Sequence, residues 1–530
     1  MGTYLNPNNE SFVKFVNSGK YVDKTSLIDL LNARIDIPDD NFICINRPRR
    51  FGKSITEDMI SAYYSKGADS KKLFSAYKIA KSDSFKKYIN KFNVLKIDMN
   101  ACLSFWKAID SKEKGTFIGY LAEQVCNDFK KQYPNIDFGK FNSIGTYIQR
   151  VYEETSQTFI IIIDEYDVLV REQVSGEEFD NYLSFLVSLF KNSGLKPAIS
   201  LAYITGILPI IKDKIQSKLN TFKQYTMIDS GNFSGYIGFT SEEVRELCEK
   251  YGCDFAECKA WYDGYKLGEY EIYNPDAVMQ AVQNRAFKSY WSSTSTYEII
   301  SDKLQMNFDG VRAAVVKMLS GGRVDVDVGM YHNTMSDFKN KHDIFTFLIH
   351  LGYLAYDSQN EQCYIPNREI YQEWQRAICE DNNYSETNKI IEASRHLIKD
   401  TIAGNEEAVA NALDASHIHV ASNRNYNNED SLSSAIYLAF IYAINNYTIV
   451  KEMTAGKGFA DIVYIPFKNN VPAMIVELKH NASPDLALNQ IKEKRYFDSL
   501  SKYSGDLLFV GINYDEKTKK HKCKIERFVK

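Results

Sequence analysis

Apolar positions along the chain keep two rhythms in turn. Over the first 230 residues, short unbroken apolar runs alternate with stretches apolar at every third or fourth position, the pattern of strands interleaved with amphipathic helices. The runs predict four strands: Phe42–Asn46, Val94–Asp98, Phe159–Asp164 and Ser200–Thr205. Such alternation packs helices on both faces of a mostly parallel sheet. The Phe159 run has no polar alternation, as expected of a central strand covered on each side. Ligands of these sheets lie beyond the carboxyl ends of strands, and both Arg47–Ser54 and Asp164-Glu165 fall there.

From Ser230 to Asn388 the rhythm turns helical, punctuated by the aromatic turns Trp261-Tyr262-Asp263-Gly264-Tyr265 and Tyr273-Asn274-Pro275. This predicts a mainly helical lid or connecting region, with a structural turn as the plainest role for the Tyr-Asp-Gly-Tyr segment. From Lys389 onward come helices, an apolar hairpin (Phe459 to Lys479), a helix (Pro484 to Leu500), a strand (Leu507 to Asn513) and a basic tail, which together read as a compact α/β unit. The expected domains are therefore 1–230, 231–388 and 389–530, with no internal repeat or low-complexity segment.

Composition changes this picture little. A chain of 530 residues exceeds what one core organises, and 44% hydrophobic with 25% charged residues is ordinary for folded, soluble protein. With a formal charge of −4 and a pI near 6.1, any nucleic-acid contact has to come from a local basic surface. Nine scattered cysteines form no paired framework and no signal segment stands at Met1-Gly2-Thr3, so a cytoplasmic location is expected. The longest apolar stretch, Ala198 to Ile211, is too short to span a bilayer and contains Pro209, so no membrane contact is expected. Cys248, Cys253 and Cys258 are spaced more widely than zinc pairs and read as helix packing.

The loop Arg47-Pro48-Arg49-Arg50-Phe51-Gly52-Lys53-Ser54 follows a strand and precedes a helical pattern. A phosphate-binding loop needs a glycine for close backbone approach, a lysine for the terminal phosphates and a hydroxyl for Mg²⁺. Gly52, Lys53 and Ser54 supply these, and the helix N-terminus adds partial positive charge. Arg47 occupies the position of the usual first glycine. Lys53 and Arg50 are the candidate phosphate ligands, and Arg47 and Gly52 complete the cofactor-binding loop. Asp164, with Ser54, would hold Mg²⁺, and Glu165 would orient the attacking water. Thr205 at the end of the fourth strand is either a polar sensor between the two or a simple cap.

Near the other end, Glu477 and Lys479 are two apart in a strand and share a face. Pro472 cannot donate to a ladder, which excludes it from the second strand. Phe467 is then expected to face Ala473, with Asp461 opposite Lys479 and Glu477 diagonal on the same side. A loop one residue shorter would turn Glu477 and Lys479 to the other face. Two carboxylates on one Mg²⁺ (or Mn²⁺) leave room for water and a phosphate oxygen, while a lysine orients that water, which is phosphodiester-hydrolysis chemistry. The plainer alternative is an edge charge pair that blocks aggregation. Gln490 and Lys494 lie four apart on one helical face, placed either for substrate phosphates or as a solvated charged face.

Arg47–Ser54, together with Tyr21-Val22-Asp23-Lys24-Thr25 and Trp261–Tyr265, resembles the bacterial AAA-ATPase-like family, whose members often carry a C-terminal nuclease-superfamily domain. Gly456–Asp461, Ile475–Lys479 and Gln490–Tyr496 are similar to the PD-(D/E)xK nuclease superfamily. The resemblance implies a multidomain α/β fold: a P-loop NTPase-like sheet, a helical middle, and a restriction-endonuclease-like C-terminal domain. In the first family a replaced first glycine is usual, which accommodates Arg47. In the second, an acid on an earlier helix often completes the metal site, which implies Glu429, or else Asp430. Taken together, the sequence predicts an ATP-binding protein, an ATPase in expectation, coupled to a Mg²⁺-dependent nuclease domain. Its expected partners are nucleotide and nucleic acid, with DNA the leading form, and a homo-oligomer is an allowed assembly. The rival expectation is a nucleotide-gated switch that grips nucleic acid or protein without cutting. No Gly-x-Ser-x-Gly elbow, His-Glu-x-x-His helix or dinucleotide fingerprint offers other chemistry.

Overall fold

A computed structural model describes the chain except at residues 1, 111–113, 141, 211–219, 292–296, 307, 309, 320, 330–337, 381–384, 421–431, 433–435, 437–438, 456–457, 467–470, 501–502, 504 and 529–530. The chain divides into two compact units, Met1–Tyr290 with Asp325–Pro366, and Trp291–Val324 with Asn367–Lys530. Residues 231–388 are thus shared between both units. No described helix is long and apolar enough to cross a membrane.

The first unit is built on a five-stranded sheet of β1 (Phe42–Asn46), β2 (Asn93–Asp98), β3 (Phe159–Asp164), β4 (Ile199–Gly206) and β5 (Lys223–Tyr225), in the order β2-β3-β4-β1-β5. Every pairing in it is parallel. All residues of β1, β3 and β4 are buried, the state of strands covered on both faces. Leu95, Ile97, Ile161, Ile163, Ala202 and Ile204 feed one core that the helices Phe117–Gln132 and Glu177–Phe190 close. The order places β4 between the strand that feeds the phosphate loop and the strand that ends in Asp164.

Residues after 230 contribute helices and also small sheets. β6 (Phe239–Thr240), β7 (Tyr265–Leu267) and β8 (Tyr270–Tyr273) form one sheet in the order β6-β8-β7. β9 (Val324–Asp325), β10 (Ala355–Asp357) and β11 (Gln362–Tyr364) form another. These strands of two to four residues are too short for period-two patterning to register, so the aromatic turns hid them. The Trp261–Tyr265 segment is the end of a helix (Phe255–Tyr262), a turn at Asp263-Gly264 and the start of β7. Gly264 has φ +107°, and a Cβ there would lie 2.1 Å from the Pro366 carbonyl oxygen, so only glycine fits.

The second unit carries a mixed five-stranded sheet of β12 (Tyr447–Ala455), β13 (Gly458–Pro466), β14 (Ala473–His480), β15 (Leu507–Asp515) and β16 (Lys520–Phe528), ordered as numbered. The β14/β15 pair is parallel and its crossover is the helix Pro484–Glu493; the other pairs are antiparallel. Leu397, Val409 and Leu413 pack against one face with Met474, Val476 and Ile512. The crossover helix covers the other through Leu488 and Ile491, against Ile475 and Phe509.

Two expectations change here. Pairing runs Ile462↔Val476, Val463↔Ile475 and Tyr464↔Met474, which continues to Asp461 opposite Glu477 and puts Lys479 on the diagonal. The expected opposition of Asp461 and Lys479 is therefore off by two residues. β13 ends at Pro466, so the connection is longer than Pro472 alone implied, and Phe467 lies outside the described residues. A shift of two leaves every side chain on its own face. The basic tail is also a strand: His521 and Cys523 of β16 are buried while Lys520, Lys522 and Lys524 are exposed.

Candidate functional sites

The phosphate loop leaves β1 and enters the helix Lys53–Tyr64, with Gly52 as the residue before its first turn at φ +90°. Arg50 also adopts a left-handed backbone, φ +68°, a conformation that non-glycine residues take rarely. Phe51 between them is buried and meets Tyr265 edge to face at 5.5 Å, and the Tyr265 hydroxyl donates to the Gly352 carbonyl at 2.6 Å. The aromatic segment thus anchors the loop. Lys53 is buried, and its Nζ donates to the carbonyls of Arg47 and Pro48, each at 2.9 Å. Burial lowers its pKa, against the opposing pull of Asp164, Asp167 and Glu165.

Ser54 Oγ donates to Asp164 Oδ2 at 2.6 Å, joining loop and acid across the intervening β4. The Thr205 hydroxyl, on that middle strand, lies 2.7 Å from Asp164 Oδ1 and 2.6 Å from Glu57 Oε1. The Glu165 amide donates to Asp164 Oδ1 at 2.9 Å. Glu57 is fully buried one turn into the loop helix, and burial followed by the Asp164 charge pushes its pKa well up. Glu165, at φ +51°, accepts an ion pair from Arg171 at 2.6 Å.

A cavity of about 690 Å³ opens over this loop, within the size range of small-molecule sites. One wall is Arg49–Thr56 with Glu165, and Tyr21 and Lys24 flank it; Tyr236, Phe239, Asp276 and Met279 form the opposite wall. Arg50 reaches across, donating to the Tyr290 carbonyl at 2.7 Å and pairing with Asp276 at 3.3 Å. Arg47 does not face this space as an open cation. Its guanidinium is fully buried and donates to the carbonyls of Asn46, Tyr225 and Thr226, and burial draws its pKa down to about 10. It ties the loop root to the strand edge.

In the second unit Asp461 Oδ2 accepts from the Leu478 amide at 2.7 Å, and Lys479 Nζ donates to Glu477 Oε1 at 3.1 Å. Gln490 donates both to Glu477 Oε1 and, at 3.1 Å, to the Tyr496 hydroxyl. Glu477 is only 1% exposed. Burial first, then the Asp461 charge, raise its pKa to about 7. Its Oε2 is buried with no hydrogen-bond partner among the described residues, a costly state for a carboxylate unless a cation serves it. Lys494 caps the helix end, its amide donating to the Gln490 carbonyl at 3.0 Å, and is exposed. Glu429 and Asp430 lie outside the described residues. Among the described residues no group of three or more His, Cys, Asp or Glu is placed to hold a metal ion; the site offers two carboxylates.

Residues 9–216 match the family described as "Predicted AAA-ATPase", and residues 427–524 match the PD-(D/E)XK nuclease superfamily. The chain joins an AAA-ATPase-like domain to a C-terminal PD-(D/E)XK domain. A relative called "Uncharacterized protein in vnfD 5'region", from Azotobacter chroococcum mcd 1, is 27% identical over 291 residues, 54% of this chain and 52% of the relative. The chain thus spans about half the length of the curated relative it matches. The ORC2 protein of Aeropyrum pernix, solved as ADPNP-ADP complexes, aligns over 67% of this chain and 91% of its own at 12% identity and a TM-score of 0.28, too loose a likeness to carry an argument.

Sequence reasoning passed over residues in both domains. In the first unit they are Glu57, within the AAA-ATPase-like match, and Asp276, beyond its end. Glu57 stands four residues after Lys53, hence on the same helical face, and that spacing was the available signal. Asp276 has none, because the fold alone brings it to the loop. In the PD-(D/E)XK domain Tyr496 was quoted within its motif but given no role, and it reaches the site through Gln490.

Proposed function

We propose that the AAA-ATPase-like domain binds and hydrolyses ATP with Mg²⁺, and that the PD-(D/E)XK domain uses a divalent ion to hydrolyse phosphodiester bonds in nucleic acid, with DNA as the leading substrate. The observation that carries the reading is the meeting of Asp461, Glu477, Lys479 and Gln490 on one sheet face, with a buried carboxylate oxygen left unserved. The donor set suits a hard divalent cation, which would supply charge stabilisation and a more acidic water. Asp461 and Glu477 would hold it. Lys479 would orient the attacking water and offset charge that builds on the phosphate, and Gln490 fixes the Glu477 rotamer.

At the first site Ser54 and Asp164 fit a Mg²⁺ between hydroxyl and carboxylate, and Lys53 and Arg50 would bind phosphates. Glu165 would position water once released from Arg171. Eight free cysteines among the described residues suit a reducing compartment such as the cytoplasm.

The test is incubation of the purified full chain with DNA and RNA in Mg²⁺ or Mn²⁺, with and without ATP. Cleavage lost in Lys479→Ala supports the reading. No cleavage under any condition leaves the second one, a nucleotide-gated switch without cutting. Within that switch the Arg171–Glu165 ion pair favours binding of ATP over its hydrolysis, because a glutamate so held does not orient the attacking water.

A further inference from the structure

The hydroxyl of Thr205 lies between two carboxyls, 2.6 Å from Glu57 Oε1 and 2.7 Å from Asp164 Oδ1. A hydroxyl carries one proton, so it donates to one of them and accepts from the other. One carboxyl in the row must therefore bring a proton of its own. Asp164 is served as an anion: it accepts from the Ser54 hydroxyl and the Glu165 amide, and it lies in the field of Lys53. Glu57 is fully buried, and its Oε2 has no hydrogen-bond partner among the described residues. An ionised carboxylate in that state is costly, and a neutral carboxyl far less so. Burial and then the Asp164 charge favour the neutral form of Glu57, against a smaller pull from Lys96, which is itself paired with Asp58. The proton sits on Glu57, and donation runs from Glu57 to Thr205 to Asp164.

The fold has no need of an acid at this position. Glu57 lies inside the helix Lys53–Tyr64, where an aliphatic side chain would fill the space without desolvating a carboxyl. What the acid adds is direction. Because Thr205 accepts from Glu57, its single proton is aimed at Asp164 Oδ1, which the Glu165 amide also holds. The other oxygen, Oδ2, is the one that faces the Ser54 hydroxyl.

We infer that Glu57 is a positioning residue of the nucleotide site: as a neutral hydrogen-bond donor it fixes the Thr205 hydroxyl on Asp164 Oδ1, and so leaves Asp164 Oδ2, beside Ser54, as the oxygen offered to the Mg²⁺ of a bound nucleotide. Glu57 acts through Thr205 and touches neither ATP nor the ion. The inference rests on the nucleotide reading of that loop.

The test uses the full chain, with thermal melts confirming the fold of each variant. In EDTA at pH 8, the infrared difference between wild type and E57Q should contain the carbonyl stretch of a neutral carboxyl; without that band the proton is misplaced and the inference falls. A fluorescent ATP analogue is then titrated in EDTA and in Mg²⁺. The tightening that Mg²⁺ gives wild type should shrink on the order of tenfold in E57M, the usual size for loss of a group that orients a metal ligand, while affinity in EDTA stays the same. E57Q still donates to Thr205 and should keep the tightening. Thr205→Val should lose at least as much as E57M, and adding E57M to it should cost nothing further. Full tightening in E57M, or an equal loss in E57Q, overturns the inference. So does a loss in E57M that is as large in EDTA as in Mg²⁺, since that is damage to the fold. Failure of the nucleotide reading looks different: a wild type that shows the carboxyl band but binds no nucleotide, or binds it without regard to Mg²⁺, overturns the ATP site and the positioning role with it.

Discussion

Glu477→Gln removes a charge that the apo fold holds at a cost, and the size of that cost follows from the pKa. The carboxyl is raised from 4.5 to about 7, chiefly by burial and then by Asp461. A raised carboxyl binds its proton more tightly folded than unfolded. Its stabilisation is therefore complete below pH 4.5 and is lost as pH rises through about 7. At about 1.36 kcal/mol per unit, the loss by pH 8 is about 3 kcal/mol. Glutamine stays neutral and escapes it. In EDTA the variant should match wild type at pH 5 and exceed it by about 3 kcal/mol at pH 8, read as the opening free energy of β14 by amide hydrogen exchange. Mg²⁺ or Mn²⁺ at pH 8 should close the gap by stabilising wild type and leave the variant unmoved. A variant less protected at pH 8, or a difference independent of pH, would refute the reasoning.

Lys53→Ala should weaken ATP binding on the order of 10–100-fold, the worth of charged hydrogen bonds to phosphate; a fluorescent-nucleotide titration close to wild type contradicts the phosphate loop. Asp276→Asn frees Arg50 from a partly exposed ion pair, so the same titration should show ATP binding about twofold to fivefold tighter, and weaker binding would make Asp276 a ligand instead of a competitor. Gly264→Ala forces a side chain into the Pro366 carbonyl at positive φ; the cost should exceed about 4 kcal/mol and appear as loss of soluble protein, so a variant that melts normally counts against the turn as drawn.

What was legible in the sequence is what local pattern controls. The β1, β3 and β4 runs are buried throughout, and such strands announce themselves by unbroken apolarity. Gly52-Lys53-Ser54 could be read because a loop motif is contiguous. Asp461, Glu477 and Lys479 were placed on one face because strand parity survives an error of two in register. Arg47 was not legible: its neighbours 178 and 179 residues away decide that it is buried on carbonyls. The Arg50–Asp276 pair and the Phe51–Tyr265 contact are invisible for the same reason. β16 looked like a tail because lysines dominate its alternation, and its two buried residues carry little hydrophobic signal.

The wall facing the phosphate loop is built from Tyr236, Phe239, Asp276 and Met279, all beyond residue 216 where the ATPase family match ends. A fragment trimmed to that match would display half a pocket and would underreport affinity for nucleotide. The first compact unit also returns for Asp325–Pro366 after residues 291–324 have left it for the second. No single cut therefore releases an intact nucleotide-binding half, and biochemistry on this chain is best done at full length, with the two activities separated by point variants.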